Sequence, residues 1–329
     1  MDNPSEINKV TTPFPRAGKG LGLGLGAWLL SLLSRLPFKV LYVISDIAYF
    51  FVYCLVGYRK DIVRKNLSAS FPEKSEEELR EIEKKFYHWL CDYFVETLKL
   101  LTITPEEMKK HLEFKGLEQL VAVKKEGQGV SSFLGHYCNW EWLSAAGLYW
   151  PWPDDVMGLI YHPLRSDFAD ELMIKMRSSL GGLCINKHHI LRELVTLRKK
   201  KQGYQFGYIF DQSPKWDSIH LWIDFLNQKT PVFTGAERIA RKVNDLVVFV
   251  RMERPERGKY IANYHIISTN PNEEEEFAIT KRCFAILENE IRKNPEFYLW
   301  THNRWKRTYE EYLEREEEKR EHNLQKDMP

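Results

Sequence analysis

The chain has no cysteine motif. Its five cysteines, Cys54, Cys91, Cys138, Cys184 and Cys283, are odd in number, scattered, and nowhere spaced as Cys-x-x-Cys. That argues against a disulfide framework or a thiolate zinc site and suits a reducing compartment. A charge of one sign is also missing: 48 Lys and Arg face 46 Asp and Glu, a net charge of +2. Such a balance lacks the basic footprint of a nucleic-acid binder. No Gly-x-Ser-x-Gly occurs, which counts against a serine hydrolase. The glycine run Gly18 to Gly26 is no phosphate loop, because Gly20 follows Lys19 and no strand precedes it. It reads as a flexible lead-in. His188 and His189 make only a weak metal-binding candidate, and no metal is expected.

What is present begins at the N-terminal end. Val40 to Gly57 is apolar with one formal charge, Asp46. As a helix it would extend roughly 27 Å, close to the thickness of a hydrocarbon core. A central carboxylate counts against a clean span. The basic residues Arg59, Lys60, Arg64 and Lys65 follow, placed to meet anionic headgroups. Membrane attachment is expected, with spanning and in-plane arrangements both open. With 43% hydrophobic residues in 329, the chain can also bury an ordinary core.

Ser75 and Glu78 form a capping box that opens a long helix. Its apolar positions Leu79, Ile82, Phe86, Leu90, Phe94, Leu98 and Leu101 recur every three or four residues and predict a core-facing stripe. From about residue 111 strand candidates (129–134, 156–161, 182–186, 204–210, 246–252, 260–268) alternate with helices near 140–149, 166–179, 188–201, 234–243 and 274–292. That alternation predicts an α/β fold with a mostly parallel mixed sheet flanked by helices. The organisation expected is a lead-in and membrane anchor (1–57), a helical segment (58–110), a catalytic domain (111–307) and a charged helical tail (308–329). In the tail, Glu311/Arg315 and Glu316/Arg320 have the spacing of helical ion pairs.

The most informative residues are His136 and Glu141. Five residues apart, they do not share a helix face. They can converge if His136 ends the strand 129–134 and Glu141 lies in the first turn of a helix capped by Asn139. A carboxylate orienting an imidazole is the working part of a general base. The same spacing suits a hydrogen-bonded loop histidine beside a glutamate placed by the helix dipole. Cys138, two residues on, is better read as a small packing residue than as a thiol nucleophile. Asp211, like His136, directly follows a strand, where the reacting groups of such sheets gather.

The segment Gly135-His136-Tyr137-Cys138-Asn139-Trp140-Glu141-Trp142 is similar to the His-x4-Glu motif of the bacterial lipid A late acyltransferases, within the lysophospholipid acyltransferase superfamily. The likeness continues through Asn66-Leu67-Ser68-Ala69-Ser70-Phe71-Pro72, the pair Asp211-Gln212, and Tyr298-Leu299-Trp300-Thr301-His302-Asn303-Arg304-Trp305-Lys306, in the family's order. It implies that His136 and Glu141 are catalytic, and that Arg177, Asp211 and Gln212 bind substrate. It implies an acyl chain passing from an acyl carrier protein or CoA thioester to a hydroxyl of a lipid A-like glycolipid. No other cofactor is implied. The setting would be the bacterial inner membrane, with the catalytic domain on the cytoplasmic side. The acidic Gly-Thr-Arg motif of glycerol-phosphate acyltransferases is missing, which disfavours a glycerol-phosphate acceptor. A lysophospholipid or aminolipid O-acyltransferase remains an alternative. A lipid or thioester hydrolase and a non-catalytic lipid-binding membrane protein are alternatives of other classes.

Overall fold

The computed structural model describes residues 21–326, with side chains described for 26–321. Residues 18–20 of the glycine run lie outside the described part. From Leu21 onward the expected lead-in is helical.

Helix α1 (Leu21–Ser34) turns into α2 (Phe38–Tyr49), which runs on without a break as a π-helical segment, Phe50–Val56. Gly57, with φ of 63°, ends it in the left-handed conformation that glycine adopts without cost. Helix α3 (Lys60–Ser70) follows, then α4 (Glu76–Lys99). The capping box is formed: the Ser75 N–H donates to Glu78 Oε2 at 2.8 Å, and the Glu78 N–H donates to Ser75 Oγ at 3.3 Å. The stripe of α4 departs from expectation at Phe94, which is 60% exposed. Helix α4 is covered on more than one side, so Trp89, Tyr93, Asp92 and Glu96 are buried as well.

Next come α5 (Pro105–His111), β1 (Leu112–Lys115), α6 (Leu117–Val123), β2 (Gly129–Leu134) and a 3₁₀ helix over Trp140–Leu148. The chain continues through β3 (Val156–Tyr161), α7 (Asp167–Ser178), β4 (Leu183–Asn186), α8 (Ile190–Lys199) and β5 (Tyr204–Ile209). A small hairpin, β6 (Trp222–Phe225) and β7 (Gln228–Pro231), precedes α9 (Gly235–Val243), β8 (Leu246–Glu256) and β9 (Lys259–Ser268). The chain closes with α10 (Ala278–Lys293) and α11 (Tyr309–Lys326). The expected helix start near residue 274 is instead at Ala278; Glu274 precedes the helix and pairs with Arg282 at 2.7 Å. In α11, Glu316 takes Lys319 and Arg315 lies over the Trp216 ring, so the expected pairing pattern differs.

The main sheet has the order β1-β9-β8-β2-β5-β3-β4, parallel throughout except for the antiparallel pair β8–β9. This is the α/β architecture that the alternation of segments predicts. Strand β2 lies between β5 and β8 and is buried at every residue. Its two serines are satisfied inside the sheet: Ser131 donates to Asp245 at 2.8 Å, and Ser132 accepts from Gln205 at 2.7 Å. Central burial explains why this strand is a short continuous run rather than an alternating one. The carboxyl ends of β2 and β5 therefore open side by side, and the residues beyond them form the site.

Candidate active site

Strands β2 and β5 pair in register, with Leu134 opposite Ile209. His136 and Asp211 each stand two residues beyond that pair, so the topology delivers them to the same place. The His136 ring Nδ1 donates to Asp211 Oδ1 at 2.6 Å, and the His136 backbone N–H donates to Asp211 Oδ2 at 3.0 Å. Gly135 makes room for this approach. A Cβ there would come within 2.8 Å of Leu287 and 3.4 Å of Asp211 Oδ2.

The Asp211 side chain is almost wholly buried. Burial alone would raise its carboxyl, but its electrostatic and hydrogen-bond interactions with His136 outweigh that and hold it below the usual range. With Nδ1–H directed at Asp211, the second nitrogen, Nε2, carries the lone pair and accepts from Gln212 Nε2 at 3.0 Å. The imidazole side chain keeps 14% of its surface exposed. Asp211 and Gln212, implied to bind substrate, both contact the His136 ring.

Glu141 has a different partner from the one its spacing suggests. Arg177 Nε and Nη2 grip its two oxygens, each at 2.6 Å. Trp140 Nε1 donates to Oε1 at 3.0 Å. Among the described residues no hydrogen bond joins Glu141 to His136. The reason is the strand end: His136 is turned toward β5, whereas the 3₁₀ helix carries Glu141 toward the last turn of α7. Burial disfavours the Arg177 charge, and Glu141 more than restores it. Trp140 joins the two pairs, its ring edge-on to the imidazole with centroids 5.0 Å apart. Asn139 caps the 3₁₀ helix as expected, accepting from the Trp142 N–H at 3.3 Å.

Cys138 holds this turn. Its φ of 53° is left-handed, which is strained for a residue with a Cβ. It is fixed by its N–H donating to Phe297 O at 2.9 Å, and its thiol is fully buried. Burial pushes the thiol well above its ordinary value, the opposite of an activated nucleophile.

The C-terminal motif supplies residues that the sequence left without a role. The Leu299 N–H donates to His136 O at 3.2 Å, and Tyr298 bridges to Tyr137. Tyr298 and Arg304 are buried near Asp211. Burial, with His136 and Arg304 nearby, pushes His302 down to about 4. The only signal for them was the motif itself, because nothing in residues 298–306 shows where the segment folds back. Among the described residues no group of three or more His, Cys, Asp or Glu could hold a metal ion.

Comparison with known proteins bears on this arrangement. Residues 17–307 match the family described as "Bacterial lipid A biosynthesis acyltransferase". The chain belongs to this family. It is 26% identical over 254 residues to the lipid A biosynthesis palmitoleoyltransferase of Escherichia coli K12, covering 75% of this chain and 79% of the relative. It is 25% identical over 291 residues to the lipid A biosynthesis lauroyltransferase of the same organism, covering 86% and 90%. A lipid A biosynthesis acyltransferase of Shigella flexneri matches over 254 residues at 26%. As a member of the lipid A acyltransferase family, the protein is an acyltransferase enzyme. Its candidate site joins two side-chain pairs, His136–Asp211 and Glu141–Arg177, through the indole of Trp140.

Proposed function

We propose that the protein moves a fatty acyl chain from a carrier or CoA thioester to a hydroxyl of a lipid A-like glycolipid. Attack by a sugar or acyl hydroxyl requires a base, and the observation that carries this reading is the His136 ring aligned by Asp211. The names of the relatives favour a lipid A acceptor over a lysophospholipid or aminolipid. The setting is the bacterial inner membrane, with the catalytic domain on the cytoplasmic side, where acyl thioesters are made.

His136 Nε2 takes the acceptor O–H proton as the oxygen attacks the thioester carbonyl carbon. Asp211 holds Nδ1–H and stabilises the imidazolium that forms. The tetrahedral intermediate then collapses: the C–S bond breaks, and the leaving thiolate recovers the proton from Nε2. No acyl-enzyme is needed. Gln212 must give up its bond to Nε2 when the hydroxyl binds. Glu141 acts here by fixing Arg177, whose Nη1 makes no bond to Glu141 and can face the developing oxyanion or a substrate phosphate.

The test is to incubate purified protein with radiolabelled acyl carrier protein, labelled acyl-CoA in parallel, and either a lipid A precursor or lysophospholipid. Label in the lipid A precursor supports the reading. Label only in lysophospholipid, or only as free fatty acid, overturns it.

A further inference from the structure

The segment Phe38–Val56 is a 19-residue helix of mean hydropathy 1.7, long and apolar enough to cross a bilayer by length and composition. Its contacts say otherwise. From end to end it is fastened, antiparallel, along α4. At its start, Thr102 donates to Ser34 O at 2.7 Å and Lys99 Nζ donates to Leu36 O at 3.1 Å. One step on, Tyr42 donates to Glu96 at 2.9 Å and Ser45 donates to Asp92 at 2.7 Å. In the middle, Tyr49 stacks on His88 with centroids 3.5 Å apart. At the end, Tyr53 packs on Tyr87, whose hydroxyl donates to Tyr58 O at 2.6 Å.

The lone acidic residue of the segment belongs to the same seam. Asp46 pairs at 2.6 Å with Arg257 from the β8–β9 turn, and Arg257 also grips Asp92. The fastened positions 42, 45, 49 and 53 recur every three or four residues, so they form one helical face. The opposite face, Val40, Val43, Ile47, Phe51 and Leu55, is between 43% and 62% exposed. Exposed basic residues stand at both ends of the helix: Arg35 before it and Lys39 in its first turn, Arg59 and Lys65 after it.

We propose that this helix lies in the plane of the membrane, its free face sunk in one leaflet of an anionic bilayer, and does not span it. A span would have to take α4 along. The stretch of α4 alongside it is bonded into the α/β domain, with Asn139 and Tyr260 donating to Glu96 and Arg254 to Asp92, so hydrocarbon would have to accept these buried charges and the domain that holds them. The other route to a span, peeling the helix off α4, would leave Glu96 and Asp92 buried without Tyr42 and Ser45 and would strip Asp46 from Arg257. An apolar middle with cations at both ends matches a leaflet in which both helix ends reach the headgroups. The inference concerns anchoring and stands apart from the acyl-transfer reading.

The experiment uses the full chain with Cys54→Ser, carrying either Val43→Cys or Leu55→Cys. Each is labelled with an environment-sensitive fluorophore and reconstituted into phosphatidylethanolamine–phosphatidylglycerol vesicles. Depth is read with lipids carrying quenchers at fixed positions along the acyl chain. An in-plane helix places both labels at the same shallow depth. A spanning helix separates them by about 18 Å along the bilayer normal, from a rise of 1.5 Å per residue. That separation, or an absence of quenching at both positions, overturns the proposal. Circular dichroism and melting of each labelled protein confirm that the fold is kept.

Discussion

His136 and Asp211 stand the same two steps beyond Leu134 and Ile209, residues that pair across adjacent parallel strands, and their side chains meet at 2.6 Å. The carboxylate that orients the imidazole thus comes from the neighbouring strand, 75 residues on. Glu141, five residues away, serves Arg177.

Glu141 and Arg177 form a pair that is 3% and 20% exposed. Removing one partner of such a pair leaves an uncompensated charge and costs about 3–5 kcal/mol. Glu141→Ala should therefore lower the unfolding free energy by that amount and also abolish transfer. Glu141→Gln with Arg177→Met should regain most of the stability and none of the activity. Denaturant unfolding beside an acyl-transfer assay checks both. Full stability in Glu141→Ala would contradict the pairing.

Cys138 has its thiol buried and its backbone in the left-handed region. Cys138→Ala should keep acyl transfer within a few-fold, since the thiol takes no part in the chemistry. Loss of labelled product by a folded Cys138→Ala protein would point back to a thiol nucleophile.

His302 supplies a pH signature. Burial lowers it from 6.5 to about 4, so the native state prefers the neutral ring. Above pH 6.5 both states are neutral and nothing changes. As pH falls from 6.5 toward 4 the unfolded chain takes the proton first, and stability drops by on the order of 3 kcal/mol before levelling off. Across this range the stability of His302→Leu relative to wild type should rise as pH falls, read from melting curves of both. Parallel curves would contradict the assignment.

Gln212 occupies Nε2, the nitrogen proposed to act as base. Gln212→Glu would put a second carboxylate on the ring and favour the doubly protonated imidazolium, which cannot accept a proton. Turnover should fall well below that of Gln212→Ala at pH 7, with the difference shrinking as pH rises. Equal activities of the two variants across pH would remove Gln212 from the ring's protonation chemistry.

The layers of the fold were legible because β2, β3, β5 and β8 are short apolar runs separated by helical patterns, and Ser75 and Glu78 announce α4. Strand order was not legible. That β2 lies beside β5 depends on packing over the whole sheet, so Asp211 was recognised as a strand-end residue without its partner. The spacing of His136 and Glu141 was compatible with contact and did not require it; the left-handed turn at Cys138 sends the two apart. The hairpin β6–β7 was missed because Gln228 and Lys229 carry no alternating apolar pattern. The exposure of Phe94 was hidden because periodicity marks a buried face without saying how wide it is.

The most direct test compares steady-state acyl transfer by wild type, His136→Ala, Asp211→Asn and the double variant, each confirmed folded by circular dichroism. If Asp211 acts through the imidazole, each single variant loses roughly 10²–10⁴-fold in turnover, the scale of a general base, and the double variant is hardly worse than His136→Ala. A folded Asp211→Asn protein with near wild-type turnover, or losses that multiply in the double variant, would contradict the account.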